Sequence, residues 1–307
     1  MDHNLKAMFR KQGYEIVGNH SAVKTCHWLR ESLMRRRVCY KQEFFGISSH
    51  RCLQMTPVAN VCNHQCLYCW RYQGKDDVIE SWDEPSEIVQ GTIEAQRRLV
   101  AGFKGDKRCD PQMWDEARSP NQVAISLTGE PTIYPYLGEL VREYRARGFT
   151  TFLVTNGTMP HVLKDLSPLP DQLYVSLDAP NDDIYTKLCL PKGKDLWDRI
   201  METVEIMPSL ETRRVARHTL VDGWNMGHEE EYASLDLKGE FDFIEPKGYV
   251  HVGYSRERLL RENMPTMEGI TEFAERMSKI TGYEIAGKNP PSKVVLLSNG
   301  KKPLMLK

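Results

Sequence analysis

The residues that decide the fold lie between positions 62 and 69, where three cysteines are separated by three and then by two residues. The stretch reads Cys62-Asn63-His64-Gln65-Cys66-Leu67-Tyr68-Cys69. Three thiolates this close can hold three irons of a cubane cluster and leave the fourth iron without a protein ligand. A structural zinc ion takes four ligands, and His64 could supply the fourth, so the spacing leaves a zinc knuckle open. A disulfide or metal-free core thiols would also fit the spacing, but the pattern favours an iron–sulfur cluster with one open iron.

Tyr68, directly before the last cysteine, makes the pattern more specific. C-x3-C-x-aromatic-C resembles the signature of the radical S-adenosylmethionine (SAM) superfamily. The resemblance implies that the three cysteines hold a [4Fe-4S] cluster whose open iron binds SAM. One electron then cleaves SAM to methionine and a 5′-deoxyadenosyl radical, and backbone groups beside Tyr68 contact the adenine. The protein places these cofactors and excludes side reactions.

Length and composition limit the number of domains and the class of protein. The 307 residues are 40% hydrophobic and 27% charged with a net charge of −1, which fits one large globular domain with appendages or two ordinary domains. No apolar run is long enough to span a bilayer, and residues 1–15 lack the apolar core of a signal peptide. We therefore expect a cytoplasmic protein without membrane contact, whose eight cysteines are not disulfides.

A second set of three cysteines precedes the first. Cys26, Cys39 and Cys52 are each separated by twelve residues, too wide for a knuckle but compatible with three elements that converge on one metal centre. Taken singly, each cysteine is better explained as a small buried hydrophobe. Upstream of a radical SAM motif, the set favours a second [4Fe-4S] cluster with one free iron.

The paired triads resemble the archaeal 4-demethylwyosine synthase family. Further segments carry the resemblance over nearly the whole chain: YEIVGNH (14–20), CYKQEFF (39–45), GEPT (129–132) and KGYVHVGYS (247–255). It implies a lyase that condenses N1-methylguanosine, 3′ of the anticodon of phenylalanine tRNA, with pyruvate to give 4-demethylwyosine. An external one-electron donor is implied as well, and we expect a monomer. The alternative is a radical SAM enzyme with an auxiliary cluster that acts on a protein or small molecule; a zinc-dependent RNA-binding protein is a third possibility.

Lys41 lies two residues from Cys39. A free iron at the second triad could chelate the carboxylate and keto oxygens of pyruvate as a Lewis acid. Lys41 could form a Schiff base with pyruvate, or it could only pair with the pyruvate carboxylate or a phosphate. We expect it to contact substrate.

Strand, loop and helix alternate six times after residue 52, with polar residues at the ends of the strands. This predicts an α/β fold, an incomplete (β/α)6 barrel whose site lies at the carboxyl ends of its strands. In the radical SAM family these positions bind SAM, so the resemblance assigns cofactor contacts to Tyr68, Thr128, Gly129, Glu130, Asn156, Ser176, Asp178, Arg217 and Asn225. A plain turn at Thr128–Glu130, a helix cap at Asp178 and an ion pair at Arg217 are equally compatible with the sequence.

Three regions are expected along the chain: a basic, mostly helical extension over 1–52, the barrel over 53–250 and a C-terminal extension over 251–307. Within the extension we expect a helix from His20 to about Arg37. Within the barrel region, we expect 104–120 to be an insertion or an irregular connection. Two basic groups are candidate tRNA contacts, Arg35, Arg36 and Arg37 in the first region and Arg256, Arg258 and Arg261 in the last. The alternative for each group is a solvated helical face, which the sequence favours for the first group. In the second group, Glu257 and Glu262 would balance the arginines.

Overall fold

One sheet of ten strands forms the centre of the fold, in a computed structural model that describes residues 3–74 and 79–306. The strands are β1 Glu15–Val17, β2 Ser21–Val23, β3 Cys52–Thr56, β4 Gln122–Ile125, β5 Thr150–Thr155, β6 Gln172–Ser176, β7 Arg213–Leu220, β8 Phe243–Gly248, β9 Glu284–Asn289 and β10 Val294–Ser298. Sheet order follows chain order from β1 to β8, and β10 and then β9 complete it. The edges of this open sheet are therefore β1 and β9.

The six middle strands, β3 to β8, are parallel neighbours. Parallel neighbours need a crossover, because the end of one strand and the start of the next lie at opposite ends of the sheet. Helices form each crossover. The helices of the chain are α1 His3–Lys11, α2 His27–Leu33, α3 Tyr40–Phe45, α4 Pro85–Ala101, α5 Pro111–Ala117, α6 Leu137–Ala146, α7 Pro160–Asp165, α8 Asp182–Cys189, α9 Leu196–Ile206, α10 Glu229–Lys238 and α11 Met267–Thr281. The predicted incomplete (β/α)6 barrel is confirmed.

The outer face of the barrel packs under the crossover helices. Alternate side chains of a strand point to opposite faces, and the outward set is apolar: Leu53, Met55, Val123, Ile125, Leu153, Leu173, Val175 and Ala216. Ile88 of α4 and Leu140 of α6 belong to the same buried cluster. Full burial of one such side chain stabilises the fold by about 1.5–3 kcal/mol, so this face fixes the register of the strands.

Helix α3 closes the inner face at the amino ends of the strands. Its Phe45 ring lies 5.6 Å from the ring of Phe243, the first residue of β8. Tyr40 of α3 shares this buried cluster with Phe152 and Tyr174 of the neighbouring strands. The N-terminal extension thus supplies the floor of the barrel, below the strand ends at which the polar residues collect.

The extension also contains a hairpin that the sequence did not reveal. β1 pairs antiparallel with β2, and β2 pairs antiparallel with β3. The single helix predicted from His20 to about Arg37 is therefore wrong over its first part, and only His27–Leu33 is helical. The hairpin covers the edge of β3 and buries Ala22 and Val23 completely, and this tertiary gain outweighs the local helical spacing.

Two further elements, helix α5 and strand β9, were not predicted from the sequence. Residues 104–120 are not irregular throughout, since α5 begins after Asp110, whose carboxylate accepts the Met113 N–H at 2.9 Å. β9 pairs antiparallel with β10 at the edge of the sheet.

Residues 251–264 form two short 3-10 turns, Gly253–Glu257 and Arg261–Asn263. The sheet runs without a break through the extension and the barrel, so the region boundaries at 52/53 and 250/251 stay a prediction. In the part of the chain that the structure describes, no helix is both long and apolar enough to cross a membrane.

Candidate functional site

The loop after β3 carries the first cysteine triad and is held from two sides. Leu67 N–H donates to the carbonyl of Leu188 at 2.9 Å, which ties the loop to α8. The guanidinium of Arg258 donates to the Leu67 carbonyl at 3.2 Å and to the Cys69 carbonyl. The position of the triad therefore depends on elements that are far away in the sequence.

A cavity of about 460 Å³ opens beside this loop at the carboxyl ends of the parallel strands. Its wall contains the first triad and eight of the nine predicted cofactor-binding residues: Cys62, Cys66, Cys69, Tyr68, Thr128, Gly129, Glu130, Asn156, Ser176, Asp178 and Arg217. The carboxyl ends of parallel strands meet at one edge of a sheet, which is why residues so far apart in sequence come together.

The three cysteines of the first triad are half-buried in the loop. Burial raises the pKa of Cys62 and of Cys69, while a hydrogen bond with Cys189, followed by burial, raises that of Cys66. Within the described ranges, no three Cys, His, Asp or Glu side chains surround a single point as the ligands of one metal ion would. A cubane cluster takes each thiolate on a different iron, so the donor set and its spacing suit a cluster.

His64, the candidate fourth ligand of a zinc knuckle, is engaged with α8. Its Nε2 lies 2.6 Å from the Tyr185 hydroxyl, and the two rings pack edge to face at 5.3 Å. Burial lowers the pKa of His64 to about 4, so the ring is neutral at pH 7. The contact ties the cysteine loop to α8.

The turn after β4 is built for close backbone approach. Gly129 has a φ of +69°, and a Cβ there would lie 1.9 Å from the Val58 carbonyl oxygen. The carbonyl of Thr128 accepts the Thr56 hydroxyl at 2.6 Å. A glycine is needed at the second position of the turn, whereas threonine is accommodated at the first.

Glu130 clamps the strand ends together. Its buried carboxylate accepts the Thr155 hydroxyl at 2.7 Å, the Asn156 N–H at 2.8 Å and both donors of Thr132. Burial raises the pKa of this carboxyl, and these hydrogen bonds oppose the rise. Its side chain is committed to the protein, so the turn can offer a ligand mainly backbone groups.

Polar groups from three strand ends meet the cysteine loop. Asn156 donates to Asn63 Oδ1 at 2.6 Å, and its amide nitrogen lies 3.9 Å from Cys62 Sγ. Asp178 accepts the Tyr68 hydroxyl and the Thr219 N–H, both at 2.6 Å. Ser176 lies in the cavity wall two residues before Asp178. These contacts connect the loop residues to the barrel rim.

Asn225 is the one predicted cofactor residue that the described cavity wall does not include. It is fully buried. Its amide nitrogen donates to the carbonyls of Asp178 and Thr219, both at 2.8 Å, and its oxygen accepts the Val221 N–H at 2.7 Å. The amide donors are both used on backbone, so the side chain braces the turn after β7 and does not face a nucleoside.

The second cysteine set converges at the floor of the barrel. Cys26 and Cys39 precede α2 and α3, and Cys52 is the first residue of β3. Burial and then the nearby Cys39 thiol raise the pKa of Cys26 to about 12, and burial followed by Cys26 and Cys39 raises that of Cys52. Three thiols spread over the sequence therefore lie within electrostatic range of one another.

Lys41 stands beside this second set. Its Nζ lies 4.4 Å above the ring of Phe152 and 4.3 Å above that of Tyr174, and it makes no hydrogen bond or ion pair within residues 3–74 and 79–306. Burial, followed by the charge of Arg217, lowers its pKa to about 8. A lysine whose charged form is disfavoured in this way is a better nucleophile at neutral pH.

Arg217 joins the floor to the cavity. It donates to Glu245 Oε2 at 2.8 Å and to the Tyr40 hydroxyl at 2.6 Å, and its guanidinium lies 4.4 Å from the ring of Tyr174. The partner is thus an acid on the next strand, as the ion-pair interpretation of the sequence expected. Lys247, the first residue of the KGYVHVGYS segment, was not predicted as a site residue and lies in the cavity wall close by.

The basic groups have different surroundings. Arg35, Arg36 and Arg37 are exposed, and two of them reach acids, Arg35 at Asp110 (2.7 Å) and Arg36 at Glu31 (3.4 Å). Arg256 and Arg261 are exposed on the C-terminal segment, whereas Arg258 is partly buried against the cysteine loop. Their part in tRNA binding stays a prediction, but Arg258 has a positioning contact of its own.

Comparison with known proteins agrees with this geometry. The radical SAM superfamily matches residues 56–235, and the family described as wyosine base formation matches 238–299. The chain is 50% identical to the SAM-dependent tRNA 4-demethylwyosine synthase of Pyrococcus abyssi over 97% of its own length and 89% of the relative. The fold and the first triad thus define a radical SAM enzyme with a [4Fe-4S] cluster and SAM.

Two solved structures are similar to this chain over its full length. A structure of TYW1 with a lysine-pyruvate adduct bound is 35% identical, with a TM-score of 0.90 over 100% of this chain and 98% of that one. A crystal structure of archaeal TYW1 is 31% identical, with a TM-score of 0.83 and full coverage of both chains. The chain belongs to the family of S-adenosyl-L-methionine-dependent tRNA 4-demethylwyosine synthases.

Proposed function

We propose that the enzyme is a carbon–carbon lyase that condenses N1-methylguanosine, 3′ of the anticodon of phenylalanine tRNA, with pyruvate. The C1–C2 bond of pyruvate breaks, C1 leaves, and the two remaining carbons close the third ring of 4-demethylwyosine within the tRNA. The observation that carries this proposal is the amine of Lys41, which lies over two aromatic rings beside three converging thiols. The lysine-pyruvate adduct of the related solved structure supports it.

The donor sets fit two clusters. Cys62, Cys66 and Cys69 would hold the first, with SAM, which supplies the radical that removes hydrogen from the N1 methyl group. Cys26, Cys39 and Cys52 would hold the second, which supplies a Lewis acid for pyruvate. Asp178, through Tyr68 and Thr219, keeps the cysteine loop against the barrel rim.

Lys41 would bind pyruvate covalently. Its neutral amine attacks the keto carbon, forms the C–N bond and, after proton transfer, expels the keto oxygen as water to leave an imine. The rings of Phe152 and Tyr174 exclude water from one side of the amine. Fixing the acid in this way holds its keto carbon in one place for the reaction with the nucleoside.

The tRNA would enter at the open carboxyl end of the barrel, where the exposed Arg256 and Arg261 would meet phosphates and an unstacked base could reach the cavity. The electron would come from an external one-electron donor. We further propose that the enzyme acts as a cytoplasmic monomer.

Replacement of Lys41 tests the proposal. In the reconstituted enzyme, Lys41→Met keeps the apolar stem but removes the amine, so SAM cleavage should continue while 4-demethylwyosine falls below about 1% of the normal yield, the loss expected for a covalent nucleophile. Lys104→Met is the matched control, because its Nζ also lies over an aromatic ring, 5.1 Å from Trp114, but on the surface. Nucleoside analysis with normal product from Lys41→Met would refute the proposal.

A further inference from the structure

Three cations converge between the cavity and the barrel floor. β7 and β8 are in parallel register, with Arg217 opposite Glu245 and Thr219 opposite Lys247, so these side chains point to the inner face together. Arg217 and Lys247 lie in the cavity wall, and Lys41 approaches the same group from α3. Lys41 and Arg217 share the ring of Tyr174, at 4.3 Å and 4.4 Å. Lys247 lies 5.1 Å from the ring of Tyr40, whose hydroxyl accepts Arg217.

Only part of this positive charge is balanced. Glu245 is fully buried and accepts Arg217 through Oε2, while its Oε1 has no hydrogen-bond partner in the described structure. Across residues 3–74 and 79–306, no other carboxylate forms an ion pair with Arg217, Lys41 or Lys247. Buried charge without a partner is costly, so the group as a whole favours a bound anion.

Donors remain free to meet such an anion. Arg217 uses Nε and one terminal nitrogen on Glu245 and Tyr40, and its other terminal nitrogen makes no hydrogen bond to a described residue. The Nζ of Lys247 donates to the Ser292 carbonyl at 2.6 Å, which leaves two of its three N–H groups. Arginine and lysine donors of this kind form strong, charge-assisted hydrogen bonds to carboxylates.

The neighbouring residues place the anion in the part of the cavity near the second triad, where Lys41 and Lys247 lie. The Nζ of Lys247 lies 5.1 Å from the ring of Tyr40, the residue between Cys39 and Lys41, whereas the basic residue that contacts the first triad is Arg258, which donates to the Cys69 carbonyl. A carboxylate has two oxygens with several lone pairs. One carboxylate can therefore accept hydrogen bonds from these cations and bind a neighbouring metal at the same time.

We propose that Arg217 and Lys247 form the carboxylate subsite of a small 2-oxo acid and thereby select the carbonyl compound that reacts at Lys41. This assignment rests on the proposed function and adds to it the residues that determine substrate specificity. The rings of Phe152 and Tyr174 both lie against the Lys41 amine, so the subsite accepts an acid with a short apolar substituent. A neutral ester of the same size lacks the charge that the subsite needs.

Reductive trapping tests the subsite. The reconstituted enzyme is incubated with increasing pyruvate or methyl pyruvate, reduced with borohydride, and the Lys41 adduct is quantified by mass spectrometry. The unmodified chain should need far less pyruvate than ester for half-maximal adduct. Lys247→Met should raise the half-saturating pyruvate concentration about tenfold or more, the value of a charge-assisted hydrogen bond, and leave the ester unchanged. Lys247→Arg should restore the preference for the acid.

A matched lysine separates the subsite from general damage. Lys293 also donates its Nζ to a backbone carbonyl, that of Pro265 at 2.6 Å, but the described cavity wall does not include it; Lys293→Met should behave as the unmodified chain. Adduct formation with the same preference for acid over ester in Lys247→Met would overturn the subsite alone. The absence of any Lys41 adduct in the unmodified chain would overturn the lysine chemistry and the subsite with it.

Discussion

Arg258 connects the C-terminal segment to the loop that carries the first triad. Its guanidinium satisfies the carbonyls of Leu67 and Cys69, on either side of Tyr68. Neither carbonyl belongs to a helix or strand of the described structure, so the loop depends on an arginine from almost two hundred residues away. Arg258 therefore supports the backbone of the cysteine loop.

Arg258→Met should weaken SAM binding about tenfold or more, because it removes two charge-assisted hydrogen bonds from the loop that holds the cluster. Equilibrium dialysis of the reconstituted protein measures this. Arg256→Met, on the exposed side of the same turn, is the control and should bind SAM normally. Equal affinity in Arg258→Met and the control would show that the arginine does not position the loop.

The positions of the site residues were easier to predict from the sequence than their contacts. Nine cofactor residues were predicted from the cysteine motif and the order of the strand ends. Eight of them lie in one cavity wall. The exception, Asn225, lies in a loop between Gly223 and Gly227, just as a ligand-binding asparagine could. Its three hydrogen bonds go to backbone from the ends of β6 and β7, and such a partnership leaves no trace in a single sequence.

At the scale of elements, α3 is both the floor of the barrel and the support of the second triad. Phe45 is fully buried and packs on Phe243, and Cys39 directly precedes the helix. Lys41 lies in the first turn. If the floor loosens, the Cys39 thiol and the lysine move with it.

Phe45→Ala should destabilise the fold by about 3–5 kcal/mol through the cavity that it leaves, and it should lower the iron held at the second triad before that at the first. Phe273→Ala in α11, also fully buried, is a control of equal size, and it should cost similar stability while both triads keep their iron. Iron analysis beside denaturant unfolding tests this. Equal iron in the two variants would contradict the role of α3.

The elements themselves were predictable where local signals were strong. β5, Thr150–Thr155, has such a signal, because a β-branched run lies between Gly148 and the Asn156-Gly157 turn. α5 had a usable signal in Asp110-Pro111, a cap followed by proline at the first helical position. β1, β2 and β9 had none: β1 and β2 are three residues long, β9 alternates weakly, and all three are fixed by pairing with neighbouring strands of the sheet.

At the scale of the whole molecule, the open barrel leaves a face for a large substrate. The net charge of −1 hides a basic N-terminal region, in which Arg35, Arg36 and Arg37 are exposed. Charge of this kind binds phosphates without distinguishing bases.

Replacing these three arginines with glutamine should weaken tRNA binding and lower the slope of log K against log salt, by about 0.7–0.9 for each phosphate that the variant no longer neutralises. Filter binding across a salt series measures the slope. A triple variant at Arg142, Arg145 and Arg147, exposed at α6 and just beyond its end, carries the same change in charge and should keep the slope. Equal slopes in the two triple variants would place the tRNA elsewhere.

The most direct test of the account is the iron and sulfide content of the anaerobically reconstituted chain. It should be compared with that of a variant in which Cys26, Cys39 and Cys52 are all alanine. Two four-iron clusters predict about eight irons per chain, falling to about four in the variant. About four irons in both proteins would contradict the account, because the second triad would then be structural and Lys41 would have no metal centre beside it.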